Sequence, residues 1–363
     1  MPRPFAICAL VLVAVLSGCA GLADEVPDPT YGTPTALPGP WTAWARDLGF
    51  DPGSDTGAPA DPAMLQQALD GLDDADLEDW NAELRAGDEV TMRLASWLWP
   101  SASAQQVTRL HELMPRLEPR VTVAAGWRLA DPDPAALPSL DDVHQGGADD
   151  CWLIAGLGAV AEVAPEVLAE RATRNANGTW TIRWDVDGEV VPVTVSPYLP
   201  ADDSGDLLYA HDSAWSTPNW SSMFEKAHAA LPRFGSYARL AGGAMVADTP
   251  VTVAAAMAAV LGAPSETAPA REVTLTQVRT ALEQNRPVAV TTFLTGLAPA
   301  PGDGEVRLID RHVYVVQAVE DDRLVLRNPW GISSAAGPET VRVTAEQLQR
   351  RFLLVTFGAI AGR

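Results

Sequence analysis

The sequence predicts an α+β fold in which helices come first and strands dominate later, and three observations carry that prediction. Apolar residues recur at helical spacing between Asp61 and Leu117. A single long apolar stretch, Trp152 to Val163, has the length and the Ala, Leu and Gly content of a buried helix. After it come alternating, β-branched segments, the first two joined by Asp187-Gly188, a dipeptide suited to a type I′ hairpin.

The chain of 363 residues is long enough for about two domains and a substantial core. With 47% hydrophobic and 20% charged residues its balance is globular. Lys and Arg total 25 against 47 Asp and Glu, a net charge of −22. So acidic a surface repels phosphate backbones, which argues against nucleic-acid partners, and it lacks the basic charge that holds a protein on anionic lipid. Lys226 is the one lysine. Three cysteines, Cys8, Cys19 and Cys151, supply neither a disulfide framework nor a Cys-based zinc site.

Arg3 precedes an apolar run from Phe5 to Leu16, too short to span a bilayer, where about 20 residues are needed, but suited to an export signal. Its ending, Leu16-Ser17-Gly18-Cys19, resembles a bacterial lipobox, which implies a lipid on Cys19 and an extracytoplasmic, membrane-anchored protein. An ordinary secretory signal cut after Ala23 is the alternative. If Cys8 leaves with the signal and Cys19 is acylated, one free thiol remains, Cys151. Residues 20–40 are Pro-rich and read as an extended tether. Residues 41–126 are acidic and mainly helical, with helices expected from Asp61-Pro62, over about Glu89–Trp99 and over Ala104–Leu117. The run Asp73, Asp74, Asp76, Glu78, Asp79 lacks the order of an EF-hand and reads as a solvated helix face. Strands are expected over Thr179–Val186, Glu189–Val195, Pro287–Leu294, Val313–Glu320, Arg323–Arg327 and Thr340–Thr344.

One set of residues has the chemistry of a thiol nucleophile. Cys151 opens the buried helix, where the helix dipole and free amides favour a thiolate. Gln145, six residues upstream and followed by two glycines, has a side-chain N–H that suits an oxyanion. His312 stands where a loop enters a strand, a rigid place for a base. Asn328 follows the next strand in Asn328-Pro329-Trp330-Gly331, and a hairpin would bring its amide to the imidazole as the third member of a triad. Taken alone, that tetrapeptide is a turn closing a strand.

Gln145 to Ala155 (QGGADDCWLIA) resembles the nucleophile motif of the calpain-type cysteine proteases. Trp220 to Gly243 resembles that family's segment ending in a double glycine, and Gly188 to Pro200 its hairpin and Leu-Pro exit. His312-Val313-Tyr314, Asn328 to Gly331, and Val341 to Phe357 resemble its histidine motif, its asparagine motif, and its closing strand and helix. The resemblance runs from about Trp127 to the C-terminus. It implies a papain-like, two-lobed core over 127–363, with a helical lobe to about 245 carrying the Cys and a β-rich lobe from about 246 carrying His and Asn. It implies Cys151 as nucleophile, His312 as base, Asn328 as orienter and Gln145 as oxyanion donor, with Trp152 and Trp330 shielding them, and a polypeptide as substrate.

Three features depart from the family pattern. Arg311 stands where the family has Gly before its histidine. The interval from His to Asn is shorter, and no calcium-binding accessory domain is expected after the core. Asp142 and Glu225 match acids of one family calcium site, whereas Ile332 to Gly337 hold no carboxylate where a second site draws its acids. The expectation is an endopeptidase that requires no cofactor, takes calcium at one site at most, and depends on it weakly or not at all. A catalytically silent binding module, or another acyl transferase or cell-wall peptidase on a papain-like fold, are the competing readings. Oligomeric state and the role of 41–126 (prosegment, binding module or spacer) are not legible.

Overall fold

The computed structural model describes residues 40–53, 61–121, 123, 125–212, 217–241, 245–246, 249–250, 252–293, 306–331 and 337–360. Cys8, Cys19, most of the Pro-rich tether, the double glycine Gly242-Gly243 and the stretch 332–336 lie outside them. In chain order the elements are α1 (Pro40–Asp47), α2 (Pro62–Asp70), α3 (Asp74–Glu83), α4 (Glu89–Leu98), α5 (Ala104–Leu113), β1 (Gly126–Leu129), α6 (Cys151–Val163), α7 (Pro165–Arg171), β2 (Ala172–Arg174), β3 (Trp180–Val186), β4 (Glu189–Val195) and β5 (Tyr198–Ala201). They continue with α8 (Trp220–Ala229), β6 (Met245–Val246), β7 (Thr249–Pro250), α9 (Val253–Leu261), β8 (Glu266–Pro269), α10 (Leu275–Glu283), β9 (Val288–Thr292), β10 (Val313–Glu320), β11 (Arg323–Arg327), β12 (Thr340–Thr344), α11 (Ala345–Arg351) and β13 (Phe352–Phe357). The mixture of helix and sheet is the one expected, and it is consistent with a papain-like core.

Local chemistry sets the element ends. Asp61 caps α2 by accepting the Ala63 and Met64 N–H groups, with Pro62 in the first turn. Asp73 and Asp76 form a capping box at α3, so the acidic run caps and solvates a helix. The third expected helix is shorter than its pattern: α5 stops at Leu113, and Pro115–Leu117 form a 3₁₀ turn, because Pro115 cannot donate the next helical bond. Asp187 and Gly188 both have positive φ, 55° and 86°, as a type I′ turn between β3 and β4 requires.

Packing divides the chain into two compact units, each drawing on separated stretches. This differs from the division by composition, because contacts form between residues far apart in sequence while composition changes only along it. One unit joins Pro138–Leu168 to Ala241–Arg363, so α6 belongs with the sheet that carries His312 and Asn328. That sheet has six strands in the order β12-β11-β10-β9-β13-β8, every neighbour antiparallel. Val288, Val290, Tyr314, Val316, Leu324, Leu326 and Val355 form an apolar core with Val278 and Ala281 of α10 and Leu348 of α11. Strand β9 is buried at all five positions, as a central strand covered on both faces must be. Helix α6 packs on β10 and crosses α9 closely at Gly156, where a Cβ would fall 2.7 Å from that of Ala256.

The other unit joins the acidic helical segment, up to Leu137, to Ala169–Leu240. Leu65, Leu69, Leu77, Trp80, Leu94, Trp97 and Leu110 build its apolar core. Polar ties stitch the two stretches together. Ser96 Oγ accepts from the Thr194 N–H at 3.0 Å, and Asn177 Nδ2 donates to the Trp99 and Ala102 carbonyls at 2.8 and 2.6 Å. Arg120 pairs with Gly235 and Tyr237 through backbone bonds of 3.0 Å each. At the centre Lys226, wholly buried, meets Glu118 at 2.8 Å, and His111 Nδ1 lies 2.9 Å from the same carboxylate. Burial alone would raise the Glu118 pKa. The Lys226 charge, and then the His111 hydrogen bond and charge, overcome it and hold the group at about 2. For Lys226 burial dominates and lowers its pKa, because one carboxylate returns less than the ammonium loses in hydration.

Candidate active site

Cys151, 4% exposed, is the first residue of α6, with Asp150 as N-cap. Its thiol sits at the end where unsatisfied helix amides favour negative charge. His312, fully buried, immediately precedes β10, and Asn328, also fully buried, immediately follows β11. Because β10 and β11 pair antiparallel, with Val315 opposite Arg327, the start of one lies beside the end of the other. The 16-residue gap thus closes to a hydrogen bond of 2.8 Å between His312 Nε2 and Asn328 Oδ1. The Trp330 backbone N–H, which can only donate, also points at Asn328 Oδ1, at 3.1 Å, so the amide oxygen faces the ring. The neutral imidazole therefore carries its proton on Nε2, leaving Nδ1 as the basic nitrogen.

Aromatic rings frame the imidazole. Tyr314 lies edge-on to it at 5.0 Å and Trp330 at 5.2 Å between ring centroids. Burial chiefly, opposed by the hydrogen bond from the Ile309 N–H and aided by the charges of Asp310 and Cys151, pushes the Tyr314 hydroxyl up to about 12.

Gln145 is buried, and two bonds fix it. Its backbone N–H donates to the Pro329 carbonyl at 2.7 Å, and its side-chain Nε2 donates to the Ala148 carbonyl at 2.6 Å. The first ties the loop before Cys151 to the turn that carries Asn328. The second orients an amide whose other N–H is available to an anion. Gly331, with φ of 70°, lies flat against His144, where a Cβ would fall 2.1 Å from Cδ2. Only glycine meets both demands. His144 and the Ala148 carbonyl carry no motif of their own, and their place next to Gln145 was the one available signal.

Asp142 lies in a 3₁₀ turn of the unit that holds Cys151, and Glu225 lies in α8 of the other. One Glu225 oxygen accepts the Ala210 N–H at 2.7 Å. Among the described residues no group of three or more His, Cys, Asp or Glu side chains could hold a metal ion. Arg311 has a positive φ of 54°, the conformation for which glycine is favoured, so the departure from the family pattern is a backbone matter as well as one of charge.

A thiol at a helix N-terminus and, in the same unit, an imidazole oriented by a side-chain amide are the kinds of group a thiol hydrolase uses. A family model described as calpain family cysteine protease matches residues 134–342. That is more than half of the chain, and the chain belongs to this family. Calpain-type cysteine protease DEK1 of Arabidopsis thaliana is 31% identical over 198 residues, 52% of this chain and 9% of that protein. The calpain-2 catalytic subunit of Gallus gallus is 29% identical over 209 residues, and calpain-8 of Mus musculus 28% over 208, each match covering 52% of this chain and 28% of the relative. The chain therefore matches less than a third of the length of these relatives.

Proposed function

We propose that the protein is a cysteine endopeptidase that cleaves polypeptides through Cys151, His312 and Asn328. The observation that carries this reading is the 2.8 Å bond from His312 Nε2 to Asn328 Oδ1, because it fixes the tautomer that leaves Nδ1 basic. Nδ1 takes the thiol proton, and the Cys151 thiolate attacks a peptide carbonyl carbon. The resulting oxyanion is met by the Gln145 amide and the Cys151 backbone N–H. Collapse breaks the C–N bond, and His312 gives its proton to the departing amine. Water then attacks the thioester with His312 as base and releases the acid and the thiol. No step needs a cofactor. We read calcium as dispensable or weakly helpful, bound at one site at most. We further read Cys19 as lipidated and the protein as anchored outside the cytoplasmic membrane, which the lipobox-like ending at Cys19 supports. Cleavage of an unfolded protein by the purified chain, lost in Cys151→Ala, tests the activity. Cleavage that survives that substitution overturns the mechanism. Uptake of labelled fatty acid that is lost in Cys19→Ser tests the anchor.

A further inference from the structure

The turn that delivers His312 is held by two hydroxyls from the strands that flank it. Thr292 ends β9, and its Oγ1 accepts the His312 N–H at 2.9 Å while donating to the Ile309 carbonyl at 2.8 Å. The Thr292 N–H donates to the His312 carbonyl at 2.9 Å. Tyr314, the second residue of β10, accepts the Ile309 N–H on its hydroxyl at 2.9 Å. Both backbone groups of Ile309 and both of His312 are thereby engaged by two side-chain hydroxyls and one amide.

The residue between them is strained. Arg311 lies at φ 54°, in the left-handed region that an L side chain rarely adopts. A non-glycine residue keeps such a conformation only where its surroundings over-determine it. Here the Arg311 N–H donates to the Phe293 carbonyl at 2.9 Å, and the clasp fixes the residues to either side. Thr292 is 3% exposed and Tyr314 fully buried, so water cannot readily stand in for a lost hydroxyl. The imidazole hangs one carbon from this backbone and must still meet Asn328 at 2.8 Å.

We propose that Thr292 is a positioning residue for His312: its hydroxyl, with that of Tyr314, clasps the Ile309–His312 turn in the shape that aims the imidazole at Asn328. The consequence for rate rests on the peptidase reading above, whereas the consequence for the ring does not. Strand pairing alone does not do this work: beyond Val313 opposite Thr291, backbone bonds engage only the His312 carbonyl and the Arg311 N–H, and the His312 N–H and both backbone groups of Ile309 are held by the two hydroxyls.

Thr292→Val keeps the shape and β-branching and removes the hydroxyl; Thr292→Ser returns it. In the full chain Thr292→Val is expected to lower kcat by about 10- to 100-fold, the scale of a small misplacement of a reacting group, with KM within about twofold. Thr292→Ser should recover most of the loss. Nitrogen NMR of the histidine rings, with His312 assigned through His312→Gln, should show one fixed tautomer in the natural chain, a mixture in Thr292→Val, and one tautomer again in Thr292→Ser. Unchanged His312 signals in Thr292→Val overturn the proposal whatever the activity does. So does a loss of kcat that follows thermal stability and is equal in the Val and Ser variants. If no form cleaves any substrate while the ring signals change and recover as described, the clasp stands and the peptidase reading falls.

Discussion

Replacing Lys226 by Met removes the principal positive charge from a buried carboxylate. Glu118 is 2% exposed and takes Lys226 at 2.8 Å, His111 at 2.9 Å and the Ser196 hydroxyl. Met refills the aliphatic volume, so the loss is electrostatic rather than a cavity. Breaking one side of a buried pair costs about 3–5 kcal/mol. At about 2–4 °C per kcal/mol for a unit of this size, the melting temperature should fall by roughly 6–20 °C. Its pH dependence carries a sign. Glu118 is held at about 2 against an ordinary 4.5, so its contribution is complete above pH 4.5 and is lost as pH falls toward 2. The deficit of Lys226→Met is therefore largest near neutrality and shrinks in acid, where the lone carboxyl protonates. Adding Glu118→Leu removes the stranded charge and should restore most of the stability, since apolar replacement of a whole buried pair is often close to neutral. Urea melts at pH 7 and pH 4 read all three proteins. A single-variant loss below about 1 kcal/mol, or a double variant no better than the single, refutes the reasoning. Either result would also undo the view that the acidic helical segment is part of its unit's core.

Three further outcomes are expected. Asn328→Ala should keep a residue of activity while Cys151→Ala and His312→Ala abolish it, with losses of about 10²–10⁴-fold typical of general-base work; equal losses at all three positions on a peptide substrate would contradict a purely orienting Asn328. Isothermal titration of metal-free protein with calcium should show no more than one event, weakened by Asp142→Ala, and two tight sites would overturn the weak-dependence reading. His228, beside Trp184 and Phe234, is lowered by burial and then by the Arg233 charge to about 3, from 6.5. The unfolded chain takes up that proton below about pH 6.5 and the folded one only near 3, so stability falls between those values. By pH 4 the loss is about 3 kcal/mol, and His228→Phe should flatten it in urea melts.

Much of the site was legible because its residue types are rare here and its motifs are short. A thiol opening an apolar helix, a histidine opening a strand and an Asn-Pro-Trp-Gly turn each announce themselves locally. The register of β10 against β11 could be guessed from a 16-residue interval, since an antiparallel hairpin must return the chain. Thr292 could not be found that way. It is one threonine among many, and the His312 N–H it accepts lies 20 residues on. The role of the acidic segment was hidden for a related reason. Its charges face solvent and dominate the composition, while the groups that bind it to the rest, Glu118, Ser96 and the backbone of Arg120, are single residues in no pattern.

Periodicity, capping residues and turn dipeptides are properties of neighbours along the chain, so helices, strands, the I′ hairpin and the residues proposed as nucleophile, base and orienter could all be read from the order of the amino acids. Tertiary structure decided what depends on residues brought together from afar. It placed α6 with the sheet of His312 and Asn328, and joined the acidic segment to Ala169–Leu240. It lodged a lysine and a glutamate 108 positions apart in one dry site, and held an arginine in a glycine's conformation beside the imidazole. Desolvation, charge pairing and backbone strain all depend on three-dimensional surroundings, and those exist only once the chain has folded.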